Sequence, residues 1–266
     1  MLRRMLFSWF KTRRRRRLAS APLPEAWRSI LHDNVPQFAA LSSEERQKFL
    51  ADLKIFVAEK NWEGCGGLVL TEEMKVTIAA FACLMTLGLG VAALDHLLSI
   101  LVYPAAFVVP ERTPIGNVEL EGARAIEGQA VHRGPVILSW QEVLADAHEP
   151  GSGSNLVWHE VAHQLDLIQR PVDAIPRHKR RATLERWKRV LTAEHRRLVA
   201  ATRRGMPTLL DDYGAQDLTE FFAVASETFF DLPHELRRQH GELYGVLADF
   251  YRQDPAARDE IVSEYE

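Results

Sequence analysis

The sequence predicts an α+β fold in which helices flank a small β-sheet. Apolar residues recur at helical spacing in the first third of the chain and again after position 154. Between these parts, short runs rich in β-branched and aromatic residues are bounded by proline and glycine, which is typical of strands. The chain has 266 residues, of which 47% are hydrophobic and 26% charged. It can therefore bury one substantial core, and we expect a single domain over residues 23–256.

The two ends of the chain are expected to lie outside this domain. Residues 1–22 are predicted to be a basic, flexible tail, because the first 17 residues hold eight of the 33 basic residues and no acid. The apolar part of this segment is short and precedes five consecutive arginines, which does not indicate a signal peptide. An alternative is that arginines 13–17 and the nearby aromatic residues make a weak contact with an anionic surface. Residues 257–266 are assigned to a C-terminal tail.

Two helices are predicted in the first third of the domain. The first begins at Ser42 or Ser43, where serines precede acidic residues and an apolar pattern of helical period. The second covers about residues 71–86. Residues 76–94, "VTIAAFACLMTLGLGVAAL", contain no charge over 19 positions, a length that would span a bilayer. Their alanine, glycine and threonine content favours a buried helix pair over a membrane span.

Strands are predicted next, followed by further helices. "LVYPAAFVVP", which starts at Leu101, and "GPVILSW", which starts at Gly134, are the two strand candidates. The residues between them indicate turns and an edge hairpin. After "GSGS" at 151–154, helices are expected at about 155–168, 178–203, 217–230 and 241–252.

The stretch "NLVWHEVAHQLD", residues 155–166, carries the main functional pattern. Residues four apart lie on one face of a helix, so His159 and His163 can direct their imidazoles at one point. Neutral imidazole nitrogens suit Zn²⁺, and Glu160 can act as general base on a water at such an ion. The alternative is a buried histidine pair that bonds backbone carbonyls. We favour the metal because burying three polar side chains among apolar neighbours is costly without a partner.

A catalytic zinc usually has three protein ligands, so a third is required. We assign Glu220, on the predicted helix within "YGAQDLTEFFAVASETFFDLP", as that ligand. The alternative is a capping box in which Glu220 bonds the backbone of Asp217. Glu227 is the second choice of ligand, or else an acceptor for an imidazole N–H. Asp166 is another such acceptor or a solvated acid at the helix end.

Two further features fit peptide hydrolysis. Tyr213 stands seven residues before Glu220 at a turn with glycine, where its phenol can donate a hydrogen bond to a developing oxyanion. A tyrosine at such a place is also often a packing residue. Extended substrates pair with exposed strand edges, and "GPVILS" is our prediction for that edge.

Together these segments resemble the Mlc titration factor A (MtfA) family of zinc peptidases, which are gluzincin-like and have a core similar to that of anthrax lethal factor. The resemblance runs from about Leu41 to Pro255. It rests on "LVYPAAFVVP", "GPVILSW", "NLVWHEVAHQLD", "DDYGAQDLTEFFAVASETFF" and "FYRQDP". It implies a mostly helical, zincin-like metallopeptidase core with a small mixed β-sheet.

The resemblance also implies roles for the residues named above. His159, His163 and Glu220 would bind one Zn²⁺ per chain, Glu160 would be the general base, and Tyr213 would stabilise the transition state. The family includes aminopeptidases, and some members bind the repressor Mlc and so affect sugar uptake. A peptide substrate is therefore expected, and an Mlc-like repressor is a further candidate partner; no direct nucleic-acid binding is expected at a net charge of -3.

A cytoplasmic protein is expected, since the two cysteines, Cys65 and Cys83, match no disulfide framework. The rival function is a protein that sequesters a regulator without catalysis and in which the zinc site is structural. A Glu160→Gln variant separates the two, because only the enzyme loses its activity when the base is removed.

Overall fold

The computed structural model describes the backbone of residues 2–105, 134–166 and 177–258 and of short strands within 107–130, with side chains for residues 9–105, 134–166 and 182–258. The described helices are α1 (Leu2–Ser20), α2 (Glu25–Asn34), α3 (Ser43–Glu59), α4 (Glu72–Met85), α5 (Trp140–His148), α6 (Leu156–Leu165), α7 (Arg177–Thr202), α8 (Leu218–Asp231), α9 (Pro233–Gln239) and α10 (Gly241–Tyr251). Most of the described chain is thus helical, as predicted. The C-terminal tail lies outside the described residues from position 259.

The described strands form a small mixed sheet and two minor ribbons. They are β1 (Asn61–Gly64), β2 (Ser99–Tyr103), β3 (Phe107–Val108), β4 (Thr113–Ile115), β5 (Val118–Leu120), β6 (Ala125–Ile126), β7 (Gly128–Ala130) and β8 (Val136–Ser139). The sheet has the order β1-β2-β8-β7. The first three strands are parallel, and β7 runs antiparallel to β8 with Gln129 opposite Ile137. This confirms the predicted mixed sheet and the strands predicted at 101 and 134.

Strand β8 is not an edge of this sheet, because it pairs with β2 on one side and β7 on the other. Our prediction that "GPVILS" offers a free edge to substrate is therefore wrong. The sequence shows that β8 is apolar, and all four of its residues are buried. It does not show that β7 pairs with β8 on the side opposite β2.

The helices predicted in the first third begin where their caps place them. Ser42 accepts a hydrogen bond from the Glu45 backbone N–H, and the Glu45 carboxylate accepts one from the Ser42 N–H, which makes a complete capping box for α3. Thr71 caps α4 through the N–H of Met74.

Helix α4 lies in the centre of the core, and every side chain from Val76 to Met85 is buried. The predicted burial is confirmed for α4, but the predicted helix pair is wrong, because only one α-helix forms within residues 76–94. It ends at Met85, and a 3₁₀ turn at Val91–Leu94 follows. Among the described residues, no helix has both the length and the apolar character needed to cross a membrane. The main cluster of buried apolar side chains extends from Trp27 to Ala256.

A helix, α1, occupies the segment that we predicted to be a flexible tail. Its C-terminal half packs on the domain through Leu18 and Ala19. Arg15 forms ion pairs with Glu59, at the end of α3, and with Asp95. Local composition predicted disorder because it cannot reveal acceptors that lie 44 and 80 residues further along the chain.

Candidate metal centre

Helix α6 is fixed at its N-terminus before it presents any functional side chain. Asn155 is buried, and its side-chain oxygen accepts a hydrogen bond from the Trp158 N–H. The next N–H, of Leu156, donates to the Asp146 carboxylate of α5 at 2.7 Å. The Trp158 indole is also buried and donates to the Phe81 carbonyl of α4. The first two bonds pair backbone N–H groups that have no partner within the helix, and the indole bond fixes the rotation of α6 against the core.

Helix α8 packs against α6 and carries the carboxylates that face it. Asp217 caps α8 by accepting hydrogen bonds from the N–H groups of Thr219 and Glu220. Ten consecutive residues from Phe221 to Phe230 are buried, so the helix is held on all sides. A helix this deeply buried positions its polar side chains within narrow limits.

The structure brings His159, His163 and Glu220 together at one point. The Nε2 atom of His159 lies 3.1 Å from the Nε2 atom of His163 and 3.1 Å from a carboxylate oxygen of Glu220. The same oxygen lies 3.4 Å from the His163 Nε2 atom. Glu220 therefore faces the imidazoles. Asp217 supplies its half of a cap, but the described hydrogen bonds of the Glu220 carboxylate go to the histidines.

These distances fit the donor set of a tetrahedral metal site. Ligand atoms about 2.0 to 2.1 Å from a tetrahedral Zn²⁺ lie about 3.3 Å from one another. The three observed separations, 3.1, 3.1 and 3.4 Å, fall close to that value. Among the described residues, this trio is the group of His, Cys, Asp or Glu side chains whose ligand atoms converge in this way. The three side chains are 13% to 20% exposed, so the site can be reached from solvent.

Glu227 forms a hydrogen bond with the second ring nitrogen of His159, Nδ1. The Nδ1–H of His159 donates to one carboxylate oxygen of Glu227 at 2.7 Å, and the N–H of Asn155 donates to the other at 2.7 Å. The bond at Nδ1 directs the lone pair of Nε2 toward Glu220 and His163. Of the two roles considered for Glu227, the geometry thus favours the acceptor over the ligand.

Asp231, one turn beyond Glu227, holds the loop before α6. It accepts hydrogen bonds from the N–H groups of Gly151 and Gly153. Both glycines have φ near +85°, which residues with a Cβ rarely adopt. Asp146, Asn155 and Asp231 were missed in the sequence. Only Asn155 left a recognisable signal, as a capping residue directly before an apolar helical run.

Glu160 lies beside the two histidines and is 1% exposed. One of its carboxylate oxygens has no hydrogen-bond partner among the described residues. Burial raises the pKa of Glu160 to about 7, although the neighbouring histidines lower it. A carboxyl group with a pKa near neutrality can both take up and return a proton, as a general base requires.

The trio attracts positive charge. Burial lowers the pKa of His159, but hydrogen bonds to Glu220 and Glu227 outweigh burial and raise it to about 10. Burial raises the pKa of Glu220, but its hydrogen bonds with His159 and His163 lower it to about 2. Both shifts have the same cause, because carboxylates around an imidazole stabilise a cation. A divalent metal ion would gain from the same arrangement.

Tyr213 lies beside the three proposed ligands, in a 3₁₀ turn (Asp212–Ala215) just before α8. Its ring centroid is 5.8 Å from that of His159, and the residue is 44% exposed. Asp211 caps the turn by accepting from the Tyr213 N–H. Asp166 follows α6 and is 3% exposed, so it is not the solvated acid considered above.

Comparison with known proteins gives consistent matches over most of the chain. The family model described as glucose-regulated metallo-peptidase M90 matches residues 9–252. The uncharacterized protein slr2042 of Synechocystis sp. is 39% identical over 91% of this chain and 89% of its own length. Mlc titration factor A of Pectobacterium atrosepticum is 37% identical over 88% of both chains. Mlc titration factor A of Cronobacter sakazakii is 34% identical over 90% of this chain and 89% of its own.

Proposed function

Because the chain belongs to the M90 family of metallopeptidases, we propose that it is a zinc-dependent peptidase, with His159, His163 and Glu220 as the ligands of one Zn²⁺. The observation that carries this proposal is the convergence of their three ligand atoms to within 3.4 Å of one another. Two imidazole nitrogens and one carboxylate oxygen are a donor set that zinc enzymes use with a further position open. A bound Zn²⁺ would polarise the substrate carbonyl and lower the pKa of a coordinated water.

The protein side chains supply the proton transfers of this reaction. Glu160 takes a proton from the attacking water and gives it to the leaving amine. Its burial raises the pKa of the carboxyl, which favours the protonated form that the second transfer needs. Glu227 keeps the Nδ1 proton of His159 and so preserves the tautomer that offers Nε2 to the metal.

Tyr213 is the proposed donor to the oxyanion that develops on the substrate carbonyl. Its ring lies within 6 Å of that of His159, and its position in a solvent-accessible turn allows contact with a bound peptide. We propose that the substrate is a peptide and that the activity is of the aminopeptidase type. The family resemblance supports the exopeptidase preference.

A role in regulation is a second candidate function, and the name of two relatives, Mlc titration factor A, favours it. This chain would then bind an Mlc-like repressor, with or without cleaving it. If it does not cleave the repressor, it would sequester it through a binding surface, and the metal would only stabilise the fold of that surface. We place either function in the cytoplasm, in keeping with two free cysteines.

The Glu160→Gln variant tests the enzyme against the sequestering protein. The variant should bind one zinc per chain as the original protein does, because Glu160 is not a ligand in this proposal, while hydrolysis of a peptide substrate falls by about 10² to 10⁴. Zinc content is measured by elemental analysis and hydrolysis with aminoacyl test substrates and longer peptides. Hydrolysis that survives the substitution would contradict the proposed base. Binding of a repressor that survives, without hydrolysis, would support sequestration.

A further inference from the structure

Helix α1 has one face on the domain and one face in solvent. Lys11, Arg15 and Leu18 recur at the spacing of a helix face and point to the body of the protein, where the partly buried Leu18 packs against the core. On the opposite side, Trp9 is 53% and Phe10 is 60% exposed. Two adjacent aromatic side chains so exposed are unusual for a soluble surface.

The basic residues of α1 with described side chains divide into two groups along the same faces, apart from Arg14, which donates to the Ala58 carbonyl at 3.1 Å. Lys11 pairs with Asp95 at 2.7 Å, and Arg15 pairs with Asp95 and Glu59 at 2.5 Å each. These two cations are therefore neutralised by the domain, and they attach the helix to it. Lys11 and Arg15 therefore position α1 on the domain.

The second group, Arg13, Arg16 and Arg17, is exposed to solvent. Among the described residues, no carboxylate forms an ion pair with any of them. The guanidinium of Arg13 lies 5.4 Å from the centroid of the Trp9 ring, which joins the cationic and aromatic parts of this face. Trp9, Arg13 and Arg16 follow each other at spacings of four and three residues, so they form one continuous strip.

We propose that this outward strip of α1, Trp9, Phe10, Arg13, Arg16 and Arg17, binds the surface of a membrane that contains anionic phospholipids. The helix would lie in the plane of the interface, with the aromatic rings among the headgroups and the three guanidinium groups on lipid phosphates. Charge complementarity supports this partner, because the helix carries no acid and its three outward arginines have no ion pair among the described residues. Exposed Trp and Phe favour a lipid interface over a nucleic acid duplex, whose phosphates would engage only the arginines.

Vesicle sedimentation of the full chain tests the proposal. The probes are vesicles of phosphatidylcholine alone and vesicles with one third phosphatidylglycerol, at about 0.1 M salt. Binding should require the anionic lipid. The triple variant Arg13→Gln, Arg16→Gln, Arg17→Gln should bind about 100-fold more weakly, since each arginine near such a surface contributes about fivefold. Its positions are exposed, so its melting temperature should equal that of the original protein.

Two matched variants complete the test. Arg203→Gln, Arg204→Gln, Arg238→Gln removes the same charge from exposed positions outside α1 and should bind vesicles as the original protein does. Trp9→Ser, Phe10→Ser keeps every charge and should bind about tenfold or more weakly, because the interfacial contact of two aromatic rings is lost. Equal binding to neutral vesicles, equal weakening by the control variant, or tight binding of duplex DNA with none to anionic vesicles would each overturn the proposal.

Discussion

Glu227 contacts two groups that the site depends on, the Nδ1–H of His159 and the N–H of Asn155. A Glu227→Gln substitution keeps the size of the side chain but removes its charge and replaces one acceptor oxygen with a donor NH₂ group. We expect zinc affinity to fall by about 10- to 100-fold, because carboxylates that orient metal-bound imidazoles usually contribute that much. Competition with a chelator of known affinity measures the change.

The exposed Glu242 on α10 provides the control for that experiment, since Glu242→Gln removes the same charge from a helix that carries none of the proposed site residues. It should leave zinc affinity unchanged. If Glu227→Gln and Glu220→Ala both bind zinc as tightly as the original protein, neither carboxylate contributes to metal binding. The assignment of the metal site is then wrong.

Tyr213 is the residue whose role depends most on the reaction itself. The Tyr213→Phe variant removes only the hydroxyl, so the ring contact with His159 and the fold should remain. We expect kcat to fall by about 10² to 10³ with KM and zinc content little changed, because a donor to the oxyanion acts in the transition state. Steady-state kinetics on a peptide substrate give the result. An unchanged kcat would assign Tyr213 to packing.

At the scale of elements, carboxylates at successive positions along α8 form hydrogen bonds with side chains and backbone groups of α6. Glu220 meets both histidines, and Glu227 bonds the first imidazole together with the backbone at the helix start. Asp231 then bonds the loop that leads into α6. Helix α8 thus holds α6 together with α5 and α4, and a change at the start of α6 should disturb stability and metal binding together.

The Asn155→Ala variant tests this coupling. The substitution removes the buried side-chain oxygen that caps α6, so the Trp158 N–H loses its hydrogen-bond acceptor. We expect the free energy of unfolding to fall by about 1 to 2 kcal/mol. Urea denaturation measures the loss, and Asn155→Ser, which restores a capping oxygen, should recover most of it. A variant as stable as the original protein would show that α6 does not need its cap.

Local signals in the sequence predicted the helices that carry the site, and nonlocal pairing explains what they did not predict. The spacing of His159 and His163 and the cap at Asp217 are properties of ten or fewer consecutive residues. The position of β8 inside the sheet depends instead on β2 and β7, and the order of α1 depends on Glu59 and Asp95. Neither partner can be identified from the periodicity of the segment itself.

At the scale of the whole molecule, the proposed ligands come from two helices that are distant in the sequence. His159 on α6 and Glu220 on α8 are 61 positions apart. The sequence suggested this pairing from residue types alone, since a buried HExxH helix needs a third ligand and a downstream apolar helix offered a carboxylate. Only the fold places the carboxylate at the imidazoles. A metal bound there would link the two helices and would be lost on unfolding.

Removal of zinc should therefore lower the thermal stability of the protein. A ligand at 100 times its Kd that binds only the folded state adds about 2.7 kcal/mol. For a domain of this size, that energy corresponds to a shift in Tm of about 5 to 10 °C. Scanning calorimetry with and without a chelator should show this difference for the original protein and for Glu160→Gln, which keeps all three ligands. Glu220→Ala should show little difference, because its site has lost the carboxylate that joins α8 to α6. If chelation leaves Tm unchanged in all three proteins, the metal does not connect the helices, and the three side chains interact without it.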